Sequence, residues 1–197
     1  MTPTALVIID LQNDFLATTG AYARGGCASA EAQALPARVL PLAQAVKAAG
    51  GMVIASQFTL WPDAAGEPLV SPHLKALRPF LKRGDFAPGS WGQACVDTLQ
   101  PVVGVAVQKV AYSAFFNTQL DWLLRKAGIT RVAVCGIVTN GGVASTVRDA
   151  HMRDYDTWVL GECCAAFKPA AHDAALADMA SVARVASNAE FLAGLKA

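Results

Sequence analysis

Residues 131–150 read RVAVCGIVTNGGVASTVRDA, and this stretch decides the fold. It opens with an apolar, β-branched run at 132–135, which is typical of a buried strand. Glycines follow at 136, 141 and 142, and apolar or small residues then recur at helical spacing up to Ala150. A strand that turns sharply into a helix brings the helix's first N–H groups to the strand's carboxyl end. That arrangement favours a developing negative charge, so we expect an active-site elbow here.

Two further apolar runs end in a charged residue. Residues 4–9 indicate a central parallel strand buried on both faces, and Asp10 follows directly. Residues 105–108 predict a short strand that ends at Lys109. A buried lysine is costly unless it is paired, and parallel strands end at a common edge of their sheet. We therefore predict that Lys109 pairs with Asp10, although a purely structural role for Asp10 stays open.

The rest of the chain alternates between strand and helix patterns. Further strands are predicted at 52–56, 157–160 and 182–185, and long helices at 29–49, 118–127, 143–153 and 170–179 and from 188 onward. Residues 62–104 are rich in Pro and Gly, with short helical patches at 74–81 and 93–99. The pattern predicts an α/β sandwich with a mainly parallel sheet, in one domain over residues 1–197.

Composition narrows the class of protein. Hydrophobic residues make up 54% of the 197 residues and charged residues only 16%, which excludes a disordered chain and suggests apolar area hidden in a homo-oligomer. A net charge of +1 without a basic cluster argues against nucleic-acid binding. No apolar run reaches the length of a membrane helix or a signal peptide, so we expect a cytoplasmic protein. The five cysteines then predict buried or inert reduced thiols.

Three motifs carry a resemblance to one family. The stretch CGIVTNGGVASTVRDA at 135–150 resembles the signature of the isochorismatase-like hydrolases, also called the cysteine hydrolase superfamily. VIIDLQNDF at 7–15 and QKVAYSAFFNT at 108–118 are similar to two other motifs of that family, in the same order. The resemblance implies a Rossmann-like, three-layer α/β/α sandwich with a six-stranded, mainly parallel sheet, and it agrees with a dimer or tetramer.

The resemblance also implies roles for residues of the site. Asp10 and Lys109 match the family's catalytic aspartate and lysine; in the cysteine branch the aspartate deprotonates the thiol and the lysine holds the aspartate ionised. The family's oxyanion donors map to the backbone of Val138 and Gly142. The family's cis peptide maps to the bond between Ile137 and Val138. Amide-cleaving members carry a nucleophilic cysteine where this chain has Gly142. Members that hydrolyse the enol ether of isochorismate carry glycine there and form no covalent intermediate.

Residues around this centre are expected to bind the substrate, a small molecule. In the resembled isochorismatases, a glutamine at the position of Gln57 contacts substrate. The other candidates are aromatic or elbow residues near the strand ends, some of which have core or interface packing as an alternative: Phe15, Trp61, Tyr112, Phe115 and Thr139. Asp63 and His73 are too few to predict a metal site, and no cofactor is expected.

The chemistry stays open between three alternatives. The first is a hydrolase of a small, carboxylate-bearing molecule without a cysteine nucleophile. In it, Asp10 either protonates an enol ether or activates water against a carbonyl held by the elbow. The second is a cysteine amidohydrolase whose cysteine has been replaced at position 142. The third is a non-catalytic ligand-binding or assembly protein on the same fold.

Overall fold

A six-stranded sheet forms the centre of the computed structural model, which describes residues 2–196. Its order is β3-β2-β1-β4-β5-β6, and all five pairings between neighbouring strands are parallel. The strands are β1 (Thr4–Ile9), β2 (Met52–Phe58), β3 (Val105–Lys109), β4 (Arg131–Ile137), β5 (Asp156–Ala165) and β6 (Arg184–Ala186). The predicted α/β class with a six-stranded parallel sheet is confirmed.

Helices cover both faces of the sheet. They are α1 (Asn13–Leu16), α2 (Ala21–Arg24), α3 (Ala30–Ala48), α4 (Pro72–Leu77), α5 (Leu120–Lys126), α6 (Ala144–His151), α7 (Pro169–Met179) and α8 (Asn188–Lys196). Right-handed crossovers place α3 on one face and α5, α6 and α7 on the other. Helix α8 packs against α3, and α6 packs against α7, which gives three layers.

The site lies where the strand order reverses. Strand β1 lies between β2 and β4. From β1 the chain continues outward through β2 to β3, and it then returns to β4 on the other side of β1 and continues outward through β5 to β6. Open α/β sheets bind ligands at such a switch point, outside the carboxyl ends of the strands. Asp10 follows β1 and the elbow follows β4, so both reach this crevice.

Strands β1 and β4 approach each other closely because of Gly136. This residue has φ +113°, and a Cβ built on it would lie 2.1 Å from the Ile9 carbonyl oxygen. All six residues of β1 are buried, as predicted for a strand covered on both faces. A side chain at position 136 would therefore push apart the two strands that carry the site.

Several predicted details were wrong. No helix forms at 93–99, where the chain makes turns. Strand β5 runs on to Ala165, beyond the predicted end at residue 160, so Cys163 and Cys164 lie within it. Asp14 is buried and accepts hydrogen bonds from the N–H groups of Ala21 and Phe86. It fastens two loops to each other beside β1.

Over residues 2–196, we find no helix that combines the length and the apolar character needed to cross a membrane.

Candidate active site

A buried acid–base pair occupies the switch point. The Nζ of Lys109 lies 2.6 Å from Oδ2 of Asp10, and both side chains are buried. Ser56 donates a hydrogen bond of 2.7 Å to the other oxygen of Asp10, and Lys109 also donates to the Ala111 carbonyl oxygen at 2.9 Å. Burial raises the pKa of Asp10 above its ordinary value, while Lys109 and Ser56 act in the opposite direction.

The elbow after β4 is a tightly bonded turn. The peptide bond between Ile137 and Val138 is cis, and residues Thr139–Val143 form one π-helical turn ahead of α6. The Val138 carbonyl oxygen accepts from the N–H groups of Gly141 and Val143, at 2.9 and 3.2 Å. The turn is thereby closed around Gly142.

Thr146 ties the elbow to the chain after β3. Its hydroxyl donates to the Gly142 carbonyl oxygen at 2.7 Å and accepts from the N–H of Ala114 at 3.0 Å. Thr146 is fully buried. One side chain therefore fixes the elbow relative to the segment that carries Lys109.

Gly142 faces Asp10. A Cβ built at this position would lie 3.5 Å from Oδ2 of Asp10, 3.1 Å from the Ile137 carbonyl oxygen and 2.9 Å from Cγ2 of Ile9. The contact with the Ile9 methyl group is too short and the contact with the Ile137 carbonyl oxygen is tight, so a side chain at position 142 requires both neighbours to shift. Glycine at position 142 therefore leaves the carboxylate of Asp10 open to the cavity on this side.

These groups open into one cavity of about 340 Å³. Small-molecule sites commonly measure about 300–1,000 Å³. Six of the residues predicted from the sequence line it: Asp10, Phe15, Lys109, Tyr112, Val138 and Gly142. The structure thus brings together the acid, the lysine, the elbow and two of the predicted aromatic side chains.

Four predicted substrate-binding residues do not line the cavity. Gln57 points to the opposite face of β2 from Ser56 and Phe58, because side chains alternate along a strand. Trp61 lies beyond the strand end and is half exposed. Phe115 is buried in the core, with its ring 6.1 Å from that of Tyr155. Thr139 turns towards α7, where its hydroxyl lies 2.8 Å from Nδ1 of His172.

Other lining residues were missed. Phe58, which lines the cavity, and Ser56, which donates to Asp10 without lining the cavity, could both have been identified from the same alternation along β2. The segment after β2 contributes His73 and Arg78. Tyr22 and Phe167 complete an aromatic wall. His73, Arg78, Tyr22 and Phe167 come from short helices and loops without periodicity, so no sequence signal pointed to these four residues.

Within residues 2–196, no three His, Cys, Asp or Glu side chains come close enough together to hold a metal ion.

An acid–lysine pair and a glycine elbow at the switch point of a parallel sheet, opening into an apolar cavity, define a small-molecule enzyme of the α/β class. The isochorismatase domain model matches residues 4–190, and this chain belongs to the isochorismatase family of hydrolases.

Relatives with known names support this membership. The chain is 37% identical over 163 residues to a ureidoacrylate amidohydrolase, RutB, of Azorhizobium caulinodans, a match that covers 77% of this chain and 71% of the relative. An isochorismatase family protein from Burkholderia thailandensis has a TM-score of 0.76 at 30% identity, covering 98% and 96% of the two chains. A cysteine hydrolase from Pseudomonas syringae has a TM-score of 0.82 at 26% identity, covering 98% and 92%.

Proposed function

We propose that the protein hydrolyses a C–N bond in a small amide or ureido compound that carries a carboxylate, and that water attacks directly, without a cysteine nucleophile. The observation that carries this proposal is that Gly142 and Asp10 line the same cavity, with no side chain at position 142 between the carboxylate and the cavity space. A water molecule in that space can donate a proton to the carboxylate. The C–N bond class is supported by the relatives named ureidoacrylate amidohydrolase.

The proposed reaction starts with Asp10 as a general base. Asp10 takes a proton from water, and the oxygen of that water forms a bond to the substrate's carbonyl carbon. The N–H groups of Val138 and Gly142 bind the resulting oxyanion. As the C–N bond breaks, the proton passes from Asp10 to the leaving nitrogen, so Asp10 returns to its carboxylate form. Lys109 stabilises the carboxylate form of Asp10 before the proton is taken up and after it is released.

The positions of the cysteines support a route without a thiol. Cys135 is fully enclosed within β4, and burial raises its pKa well above the ordinary value. Cys163 and Cys164 lie in β5 and are also buried. Nucleophilic attack requires an accessible thiolate, which none of these three residues supplies.

A second candidate function is the hydrolysis of an enol ether. Burial raises the pKa of Asp10, which favours a protonated carboxyl that can act as an acid. Asp10 would then protonate the methylene carbon, and water would add to the resulting oxocarbenium ion. Glycine at position 142 is the residue that the resemblance associates with this reaction.

A panel of substrates tests both candidates. Purified protein is incubated with ureido acids, primary amides and carbamates, and separately with isochorismate and chorismate. Release of ammonia or amine from the first group is the expected result. Release of pyruvate from the enol ethers, with no turnover of C–N compounds, would replace the main proposal with the second.

A Gly142→Cys variant tests the alternative that a cysteine has been replaced. A side chain at this position requires shifts of the Ile9 methyl group and of the Ile137 carbonyl oxygen. If the variant gains rapid amide hydrolysis that iodoacetamide abolishes, the site suits a thiol nucleophile and the thiol-free proposal is weakened. Equal or lower activity in the variant is the result expected here. Gly142→Ser serves as the control for side-chain volume.

We also propose that the protein forms a homo-oligomer. Several large apolar side chains are exposed on the single chain, among them Leu69, Trp91 and Trp122. Light scattering coupled to size-exclusion chromatography tests this, and a mass of 20.5 kDa would contradict it.

A further inference from the structure

Arg78 differs from every other arginine in its electrostatic environment. The chain contains nine arginines. Eight of them lie within ion-pair distance of an aspartate or glutamate. Arg78 has no carboxylate partner among residues 2–196, and it is also the arginine that lines the cavity.

Neutral groups hold the Arg78 side chain at the cavity wall. Its Nε donates a hydrogen bond of 3.2 Å to the hydroxyl of Tyr22, and Nη1 donates to the Leu77 carbonyl oxygen at 3.0 Å. Burial raises the pKa of Tyr22, so that hydroxyl is neutral at physiological pH. These contacts position the guanidinium, but they leave its positive charge uncompensated.

The cavity wall beside Arg78 is built of flat aromatic rings. Tyr22 stacks on Phe167 with 5.3 Å between ring centroids and an interplanar angle of 15°. The ring centroid of Phe15 lies 4.5 Å from that of Tyr22, and Phe58 and Tyr112 also face the cavity. Such walls favour a planar apolar body over a branched or strongly hydrated one.

We propose that Arg78 binds a carboxylate of the substrate, and that a flat, unsaturated or aromatic body separates this carboxylate from the bond that is hydrolysed. A planar guanidinium matches a carboxylate in two parallel hydrogen bonds. The assignment of the hydrolysed C–N bond rests on the proposed function above. The assignment of the substrate's carboxylate to Arg78 rests on Arg78 and the aromatic wall alone.

Among residues 2–196, the basic side chains that line the cavity besides Arg78 are His73 and Lys109, and the ammonium group of Lys109 already has partners. It pairs with Asp10 at 2.6 Å and donates to the Ala111 carbonyl oxygen. A carboxylate at Lys109 would compete with Asp10 and place two negative charges together. The substrate's anionic group therefore goes to Arg78.

Ligand binding tests this without requiring turnover. Isothermal titration calorimetry is run with trans-cinnamate, which has a planar apolar body and a carboxylate, and with cinnamyl alcohol, its neutral analogue. The wild type is compared with Arg78→Met. Arg83→Met is the matched control, because Arg83 forms an exposed ion pair with Glu67 in the same segment and does not line the cavity.

We expect cinnamate to bind the wild type at least 10-fold more tightly than the alcohol does. Arg78→Met should weaken cinnamate binding by about 10- to 100-fold, as expected for the loss of a hydrogen-bonded charge. Binding of the alcohol should not change. Arg78→Lys should recover part of the loss, which separates the loss of charge from damage to the fold.

Two results would overturn the inference. One is equal binding of cinnamate to Arg78→Met and to the wild type; the other is equal binding of acid and alcohol to the wild type. A failure of the proposed reaction gives a different pattern, in which cinnamate binding depends on Arg78 while no C–N compound is hydrolysed. If a substrate is found, Arg78→Met should raise KM for its carboxylate form and leave KM for its methyl ester unchanged.

Discussion

Lys109 and Asp10 form an ion pair across an intervening strand. Nζ of Lys109 lies 2.6 Å from Oδ2 of Asp10, with 1% and 6% of the two side chains exposed. Lys109 ends β3 and Asp10 follows β1, and β2 lies between these strands. The lysine therefore reaches over the end of β2, where its Nζ is 5.6 Å from the centroid of the Phe58 ring. Two charges held in this way depend on each other for stability as well as for chemistry.

Lys109→Met should destabilise the protein strongly. Removing one partner of a buried pair leaves an uncompensated charge, which costs about 3–5 kcal/mol. The Asp10→Asn/Lys109→Met double variant removes both charges and should recover more than half of that loss. Urea denaturation measures the free energy of unfolding of the single and the double variant, and Lys82→Met, at an exposed lysine, is the control. A loss below about 1 kcal/mol in Lys109→Met would contradict the dependence of the pair on both charges.

The pH dependence of kcat/KM reports the role of Asp10. Burial raises its pKa above 3.8, so a base that must be ionised gives a rate that increases as pH rises through that raised value and then levels off. An acid that must be protonated gives the opposite slope. A rising acidic limb supports direct attack of water on a carbonyl. A falling one supports the enol-ether reaction.

Ser56→Ala should move that acidic limb to higher pH. Ser56 donates to Oδ1 of Asp10 at 2.7 Å, a bond that stabilises the carboxylate, so removing it raises the pKa of Asp10 further. Thr157→Val is the control, because it deletes a buried hydroxyl in β5 that bonds only to the Tyr155 carbonyl oxygen. A limb that stays in place or moves to lower pH would show that Ser56 does not act on Asp10.

Iodoacetamide should modify Cys27 and leave hydrolysis intact. Cys27 is partly exposed, whereas the other four cysteines are buried, and burial raises the pKa values of Cys95 and Cys163 to about 11. Mass spectrometry of the native protein should show one adduct, and none in Cys27→Ser. Rapid labelling of a second cysteine with loss of activity would indicate a thiol that takes part in the reaction.

Gly136→Ala should damage the fold far more than another glycine replacement. A Cβ at position 136 would lie 2.1 Å from the Ile9 carbonyl oxygen, in a residue with φ +113°. Gly26 also has positive φ, +72°, but nothing lies within 4 Å of its Cβ position. We expect Gly26→Ala to cost about 1–2 kcal/mol of unfolding free energy, and Gly136→Ala to exceed that by several-fold or to prevent folding. Thermal melts compare the two, and similar values would contradict the close approach of β1 and β4.

The centre of the site could be predicted because its residues mark the ends of apolar runs. Asp10 and Lys109 are charges directly after buried strands, and Gly142 lies in a strand–glycine–helix pattern. Parallel topology brings such ends together whatever their separation along the chain. Ser56 could have been predicted by the same logic. Instead, Gln57 was predicted to face the site, and because it is one residue away, its side chain points to the opposite face of β2.

The outer wall of the cavity could not be predicted. His73 and Arg78 come from an irregular segment with one short helix, and Tyr22 from a four-residue helix, so neither segment has a periodic pattern long enough to fix its position. Phe115 was predicted near the substrate but packs on Tyr155, because an aromatic residue after a strand suits core and cavity equally well. Tertiary packing decides between the two.

The most direct test of the account is the rate of hydrolysis by Asp10→Asn on whichever C–N substrate the wild type turns over. Asp14→Asn is the matched control, since Asp14 is also buried but fastens loops and does not line the cavity. We predict that Asp10→Asn lowers kcat by about 10²- to 10⁴-fold, the usual contribution of a general base, while Asp14→Asn keeps most of its kcat. An Asp10→Asn variant that folds and retains wild-type kcat would contradict the account.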